Sequence, residues 1–355
     1  MSLKAFMKGH NHEKTLFKFM SKEVQDMDVA ITGATGHIGA SLVRAILAQG
    51  RSVRVLARND LRAIQGLDVE IVTGDLLQPD SLMKLFRGVH TVFHLAARIS
   101  IVGSEGGMVE KINVEGTKNV IQTCLRNGVK RLVHFSSIHA FTAHPHDEVI
   151  DETRALATGN HEFWYDRSKA IAQMAVQDAV RQGLSAVILN PSGIIGPYDF
   201  KISRMGGVLI DIYNRRYPAL INGGYDWVDS RDVVASALAA ETKGRDGECY
   251  LLSGHWVHVC DIARIISEIY CKKTPRFATP IWLCSLPAYF VVAYSKMRKV
   301  TPKFTPQALK TLQSHRYISH DKATRELGHR PRSIENTIRD SLDWFLAQGM
   351  LGPTC

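Results

Sequence analysis

The chain has 355 residues, 45% of them hydrophobic, with 44 lysines and arginines against 34 acidic residues, a formal charge of +10. That length and apolar content exclude a disordered or disulfide-stapled peptide and suit one large core with a smaller lobe. The positive charge by itself admits nucleic acid or an anionic membrane as a partner. No basic run interleaved with aromatics accompanies it, so nucleic acid is not expected and the surplus suits a phosphorylated cofactor.

The six cysteines contain no C-x-x-C, and the fifteen histidines show no metal-ligand spacing. Free thiols, no metal and a cytoplasmic location are the expectation. Residues 1–27 are polar and charged without an apolar core, which reads as an N-terminal extension rather than a signal peptide.

Val29 to Ile31 form a short apolar run, followed by Gly33-x-x-Gly36-x-x-Gly39 and a stretch from Ser41 to Gln49 with helical apolar spacing. A strand turning through glycines into a helix start is built to hold a pyrophosphate. Glycines let the backbone approach the ligand, and free N–H groups and the helix dipole meet its charge. Gly33, Thr35, Gly36, His37, Ile38 and Gly39 are the candidate contacts. The second strand, Ser52 to Ala57, ends on Arg58-Asn59. An acid at this place would bond a ribose 2′-hydroxyl, whereas an arginine suits a 2′-phosphate, so NADP is favoured over NAD.

Val69 to Leu76 reads as a third strand delivering a Gly-Asp turn, in which Asp75 either bonds the adenine amino group or caps a helix beginning near Pro79. Thr91 to Ala97 is a fourth strand whose small terminal residues, Ala96 and Ala97, let a cofactor lie close. A helix is predicted over Val109 to Arg126, carrying Asn113. A fifth strand, Arg131 to Phe135, ends in Ser136-Ser137. Strands alternating with helices at this interval predict an α/β, Rossmann-type, doubly wound parallel sheet, with ligands at the carboxyl ends of its strands.

Tyr165 and Lys169 open a predicted helix over Trp164 to Arg181 and, four residues apart, share one face. A free tyrosine titrates at about 10, too high for ready proton exchange at neutral pH. A neighbouring ammonium would favour the phenolate and lower that value, and Lys169 can also reach ribose hydroxyls. Ser137 would orient the reacting carbonyl or hydroxyl.

With these residues in order, the chain resembles the extended short-chain dehydrogenases/reductases over roughly Asp28 to Phe345. The likeness rests on TGATGHIG, GDL at Gly74–Leu76, HLAA at His94–Ala97, NVEGT at Asn113–Thr117, Ser136-Ser137, YDRSK at Tyr165–Lys169, NPSGIIGP at Asn190–Pro197, WVDSRDVV at Trp227–Val234 and DKATRELGHRP at Asp321–Pro331. The resemblance implies Tyr165 as acid/base, Lys169 as its partner and ribose holder, Ser137 as orienting group and Asn113 as support. It adds Leu76, Pro191, Gly193 and Ile194 to the cofactor-binding residues and implies hydride transfer between nicotinamide and a carbinol or carbonyl carbon. Within the family the dihydroflavonol-reductase-like branch is most similar. Ser136-Ser137-Ile138-His139 stands where sugar dehydratases carry Thr-Asp-Glu, which disfavours sugar dehydration. A homodimer through the Asn113 and Tyr165 helices is likewise an implication of resemblance.

The expected organisation is an extension at 1–27, a dinucleotide-binding domain at 28–197 with contributions from about 225–255, and a mainly substrate-binding lobe at 198–350. His139, Tyr198, Asp199 and Arg204 are candidate contacts to a small-molecule substrate, with turn and helix-cap roles as the alternative for the last three. Asp229 to Asp232 reads as a helix cap tying the lobe to the sheet. Ile281 to Tyr294 is apolar and followed by Lys296, Arg298 and Lys299. At fourteen residues, interrupted by Pro287, it is too short to span a membrane. It either closes the substrate pocket or, with the basic residues through 299, touches an anionic lipid surface.

The sequence thus favours an NADP-dependent oxidoreductase acting on a medium-sized apolar molecule. The alternatives are an NAD-dependent epimerase or 3β-hydroxysteroid-type dehydrogenase/isomerase, and a non-catalytic dinucleotide-sensing regulator.

Overall fold

A computed structural model describes residues 27–217, 219–275, 278–283, 309, 312 and 315–352. The N-terminal extension therefore lies outside the described residues, as does most of the apolar 281–299 segment.

Six strands come first: β1 (Met27–Thr32), β2 (Val53–Ala57), β3 (Glu70–Thr73), β4 (Val89–His94), β5 (Arg131–Phe135) and β6 (Ala186–Pro191). After β7 (Gly193–Ile195), β8 (Leu220–Ile221) and β9 (Gly224–Asp229), β10 (Cys249–Leu252) returns to the first group. These seven make one sheet in the order β10-β6-β5-β4-β1-β2-β3, with every pairing parallel. Parallel strands buried on both faces must be apolar throughout, and β2, β5, β6 and β10 are buried at every residue. The chain leaves β1 in one direction toward β2 and β3, then crosses back to β4. That reversal opens a crevice beyond the ends of β1 and β4, where such sheets take their ligands.

Helices cover both faces. On one, Leu82, Leu85, Phe86, Val120, Cys124 and Val176 pack on Leu132 and Ile188. On the other, Leu42, Val43, Ile46, Val233 and Ala237 pack on Val29, Val55 and Val133, joined by Ala323 and Leu327 of the Asp321–Leu327 helix. The segment from Ser230 to Leu252 and this late helix thus belong to the sheet half. The smaller lobe has its own core of Ile210, Tyr213, Trp227, Ile262, Ile266, Leu342 and Phe345. It carries a sheet of β7, β9 and β11 (His255–His258) and a two-stranded pair of β8 with β12 (Ala278–Thr279).

Asp229 caps the Ser230–Lys243 helix by accepting from Arg231 N at 2.8 Å. Arg231 pairs with Asp340, and Asp232 receives three hydrogen bonds from Arg332, tying lobe to sheet.

Several local expectations change. The third and fourth strands end sooner than expected, β3 at Thr73 rather than Leu76 and β4 at His94 rather than Ala97, so the Gly-Asp turn and Ala96-Ala97 lie in loops beyond the sheet. The first helix begins at His37, not Ser41, because Gly36 takes the N-cap and the turn starts inside the glycine loop. The helix expected over Val109 to Arg126 is not uniform. It runs as Met108–Glu110, a π-helical Lys111–Glu115, and Gly116–Asn127. A π turn widens the ladder and commonly marks a functional position, and Asn113 sits inside it. Asp75 does not cap the Pro79–Phe86 helix, whose N-cap is Gln78. The Asp75 carboxylate accepts from Leu77 N at 3.0 Å in a local turn instead.

Candidate active site

The glycine loop follows from how closely β1 and β4 approach. Gly33 has φ +79°, and a Cβ there would lie 2.7 Å from Ala96 N. A Cβ on Gly39 would fall 2.2 Å from Gly33 O. Both positions exclude side chains because backbone fills the space, whereas at Gly36 the nearest atom would be 3.3 Å away. The His37–Leu47 helix above this loop has no side-chain cap and no acid in its first turn. Its terminal N–H groups and dipole suit an anion. A backbone cradle under an uncapped helix start, at the sheet's reversal point, fits a dinucleotide pyrophosphate.

The other expected cofactor residues fall around this crevice in different ways. Arg58 is exposed beyond β2, 3.8 Å from Asp75. Ala97 is exposed and Ala96 half-buried beyond β4. His37 Nε2 donates toward the carbonyls of Gly196 and Pro197, 3.1 Å from each, joining the glycine loop to the end of the NPSGIIGP segment. Leu76 turns its side chain into the core against Gly116, and its carbonyl accepts from Asn119 Nδ2 at 3.0 Å. Pro191 ends β6. Gly193 is a glycine because β9 passes so near that a Cβ would meet Asp226 O at 2.8 Å. Ile194 packs against the sheet core.

Ser137, Tyr165 and Lys169 come together at the end of β5. Lys169 is buried, and its Nζ donates to Phe135 O at 2.8 Å. Burial lowers its pKa to about 8. The Tyr165 phenol is pushed up to about 12 by burial, while the Ser137 hydroxyl beside it acts in the opposite direction. The sequence-based expectation of a lowered tyrosine pKa is therefore reversed in the protein alone: desolvation outweighs its neighbours, and the lysine ammonium is directed at a backbone carbonyl.

A buried polar network fixes these groups. Asn190 Nδ2 donates to Ser137 O at 2.9 Å and to Gln173 Oε1 at 2.8 Å. Asn113 Nδ2 donates to Ser168 Oγ at 2.9 Å, and Ser168 Oγ donates to Tyr165 O at 2.7 Å. Asn113 also exchanges hydrogen bonds with the backbone of Arg98. Thr117 Oγ1 donates to Asn113 O at 2.7 Å, so it accepts from His94 Nε2 at 3.0 Å, leaving His94 Nδ1 to accept from Thr32 Oγ1 at 2.7 Å. Burial keeps His94 neutral, at about 3, which suits this single tautomer. The network links β1, β4, the π turn and the tyrosine helix. Gln173 and the bonding of Asn190 to Ser137 were missed in the sequence, where neither carries a motif spacing.

Of the candidate substrate residues, His139 lies with its ring centroid 5.9 Å from Tyr165 and 5.0 Å from His315. His139 Nδ1 is 3.4 Å from Asp166 Oδ1, whose pKa is raised by burial and opposed by His139. Arg204 opens the Arg204–Tyr213 helix near enough to act electrostatically on Tyr165, Tyr225 and Glu105. Tyr198 is placed differently. Its ring stacks on the Arg44 guanidinium, 4.6 Å from the centroid, and lies 6.2 Å from the Trp344 ring, because the chain after Pro197 folds down onto the first helix. Asp199 is buried and accepts from Ser203 N, the turn role left open in the sequence.

Among the described residues no group of side chains could hold a metal ion, no helix is long and apolar enough to cross a membrane, and Cys124, Cys249, Cys260 and Cys271 are free thiols.

Comparison with known proteins agrees with this geometry. The profile of the NAD dependent epimerase/dehydratase family matches residues 29–253. Sterol demethylase protein B of Methylococcus capsulatus is 35% identical over 330 residues, covering 92% of this chain and 100% of the relative. A protein of Synechocystis sp. with a provisional dihydroflavonol 4-reductase name is 31% identical, covering 90% and 94%. The crystal structure of gox2253 superposes with a TM-score of 0.80 at 30% identity, covering 92% of this chain and 100% of that one.

Proposed function

Because the chain belongs to the NAD dependent epimerase/dehydratase family and is an NAD(P)-dependent oxidoreductase of the extended short-chain dehydrogenase/reductase type, we propose that it transfers hydride between NADP and the carbinol carbon of an apolar, sterol-like alcohol. The observation that carries this reading is the convergence of Ser137, Tyr165 and Lys169 beside the glycine cradle, locked by the Asn113–Ser168 and Asn190–Gln173 bonds. When bound, the nicotinamide would supply or take up the hydride.

The remaining chemistry belongs to this chain. Ser137 Oγ orients the substrate oxygen and Tyr165 gives or takes its proton. A phenol at about 12 is a proton donor in character, which suits carbonyl reduction. Running the reaction as alcohol oxidation requires positive charge near the phenol, and Arg204 already acts in that direction. Lys169, the Gly33–Gly39 turn, Ala96, Ala97 and Gly193 would hold the dinucleotide, with Arg58 on the 2′-phosphate.

Support for an apolar substrate comes from the rim. Ile99, Val102 and Ile202 are exposed on loops leading to Glu105 and Arg204, two residues close enough to interact across the cleft. His139 and Arg204 are the polar groups available to orient an otherwise apolar molecule. The sterol demethylase relative points the same way. Exposed Met108, Trp164 and Met174 on the neighbouring helices support pairing of two copies there.

The test is turnover by purified protein of 3-hydroxysterols with NADP⁺ and of 3-ketosteroids with NADPH, beside nucleotide sugars. Nicotinamide absorbance should change with the steroids alone. Epimerised nucleotide sugar without net cofactor change would contradict the reading.

A further inference from the structure

The segment Tyr198–Lys201 leaves the substrate lobe and lies across the first helix of the sheet half. Arg44 of that helix is held by Ala40 O and Ala63 O, both at 2.8 Å, and presents its guanidinium to the Tyr198 and Phe200 rings at 4.6 and 5.4 Å. Trp344 packs on Phe200 from the lobe side, with ring centroids 5.0 Å apart. The Asp199 carboxylate accepts from Ser203 N, and Ile202 N donates to Asp199 O, closing a tight turn. Lys201 stands at the tip of this turn. Its Nζ donates to Thr35 Oγ1 at 2.8 Å and lies 3.9 Å from Asp60 Oδ2.

Those two partners belong to different loops. Thr35 is in the glycine turn after β1, and Asp60 is in the loop after β2. The ends of β1 and β2 are neighbours in the sheet, and the space between the two loops is where the adenosine ribose of a dinucleotide comes to rest in this fold. The lysine therefore bridges the two walls of the ribose site from above. The charge there is also uneven. Arg58, Arg62 and Lys201 face Asp60 and Asp75, an excess of one positive charge. Asp60 is engaged by Arg62, which donates to both of its oxygens at 3.0 and 2.9 Å, and this pairing holds its carboxyl well below the usual range. With both Asp60 oxygens engaged by Arg62, the surplus cation is left to meet another anion.

We propose that Lys201 is a determinant of cofactor specificity. On this assignment its ammonium binds the 2′-phosphate of NADP together with Arg58, and the aromatic strap that carries it closes over the adenosine end of the cofactor. The inference rests on the NADP reading and adds a residue from the substrate lobe to it. Lys201 exchanges the neutral hydroxyl of Thr35 for an ionised phosphate oxygen, so a bond from a cation to a neutral acceptor becomes one between opposite charges. Because both strap rings are pinned on Arg44 and Trp344, little ordering is left for binding to supply.

The experiment is a fluorescence titration of wild type, Lys201→Met and Lys201→Arg with NADPH and NADH, and a competition titration with 2′,5′-ADP against 5′-AMP, with the melting temperature of each variant measured. The proposal expects Lys201→Met to melt with wild type, to lose about tenfold in affinity for NADPH and 2′,5′-ADP, and to keep its affinity for NADH and 5′-AMP. Lys201→Arg should restore most of the discrimination. Equal losses for all four ligands would place the lysine on the pyrophosphate or in loop support and overturn the assignment. Unchanged NADPH binding would overturn it too. Wild type that fails to prefer NADPH overturns the NADP reading along with it, whereas wild-type preference that survives Lys201→Met overturns the lysine assignment alone.

Discussion

Replacing Lys169 by methionine should stabilise the protein at neutral pH while abolishing turnover. The lysine is 4% exposed and buried as an ammonium, with Phe135 O at 2.8 Å as its hydrogen-bond acceptor. Burial lowers its pKa from 10.5 to about 8, and at 1.36 kcal/mol per unit that amounts to a penalty of about 3 kcal/mol on the charged form. Methionine occupies similar space without charge but removes the donor to Phe135 O, a loss of about 1–2 kcal/mol. The net expectation near pH 7 is a gain of about 1–2 kcal/mol. The pH dependence has a definite sign. Between about 8 and 10.5 the unfolded chain keeps the proton that the folded protein has released, so wild-type stability rises with pH across that window. The variant lacks this titration, and its advantage should vanish or reverse by the top of the window. Urea denaturation of both proteins near neutral pH and again at the upper end measures this directly. A variant less stable than wild type at neutral pH, or a difference that does not move with pH, would refute the reasoning.

Tyr165→Phe should bind NADPH within about twofold of wild type and lose at least about a hundredfold in turnover, since general acid/base catalysis is commonly worth that much. Retained turnover would remove the phenol from the chemistry. Gly39→Ala and Gly36→Ala should part company. The former forces a Cβ into Gly33 O and Ala34 and should cost about 1–3 kcal/mol in urea denaturation. The latter meets only one atom; it should stay within about 1 kcal/mol of wild-type stability and weaken dinucleotide binding about tenfold or more. Equal stabilities would contradict the close approach. Asp232→Ala strands Arg332, which donates three hydrogen bonds to that carboxylate. It should lower stability by about 1–3 kcal/mol, and a change under about 0.5 kcal/mol would show that the lobe is held to the sheet by other contacts.

Features governed by local spacing were legible before the structure. β5 and the Trp164–Arg181 helix lie where their apolar patterns put them, and the ordered strand ends defined the crevice rim. The π turn at Lys111–Glu115 was not legible, because one extra residue in a turn leaves no mark on apolar periodicity. Asp75 was ambiguous for a related reason: an acid before a helix suits an adenine contact or a helix cap equally well, and the backbone path puts its carboxylate in a local turn with Leu77 N instead. The raised pKa of Tyr165 depends on its burial in the folded protein, which a four-residue spacing with Lys169 cannot report. Lys201 was invisible as a cofactor residue because its partner Thr35 is 166 positions away. Motifs mark the chemistry that must recur locally; contacts made by a lobe folding back across the sheet leave no comparable pattern.

The most direct test of the central claim is isotope transfer. The protein would be incubated with NADPH deuterated at the transferable C4 position and a 3-ketosteroid, and the product analysed by mass spectrometry. One deuterium on the carbinol carbon of the alcohol, absent with Tyr165→Phe, is the expected result. A product without deuterium, or a substrate epimerised with all label still on the cofactor, would contradict net hydride transfer as the function of this site.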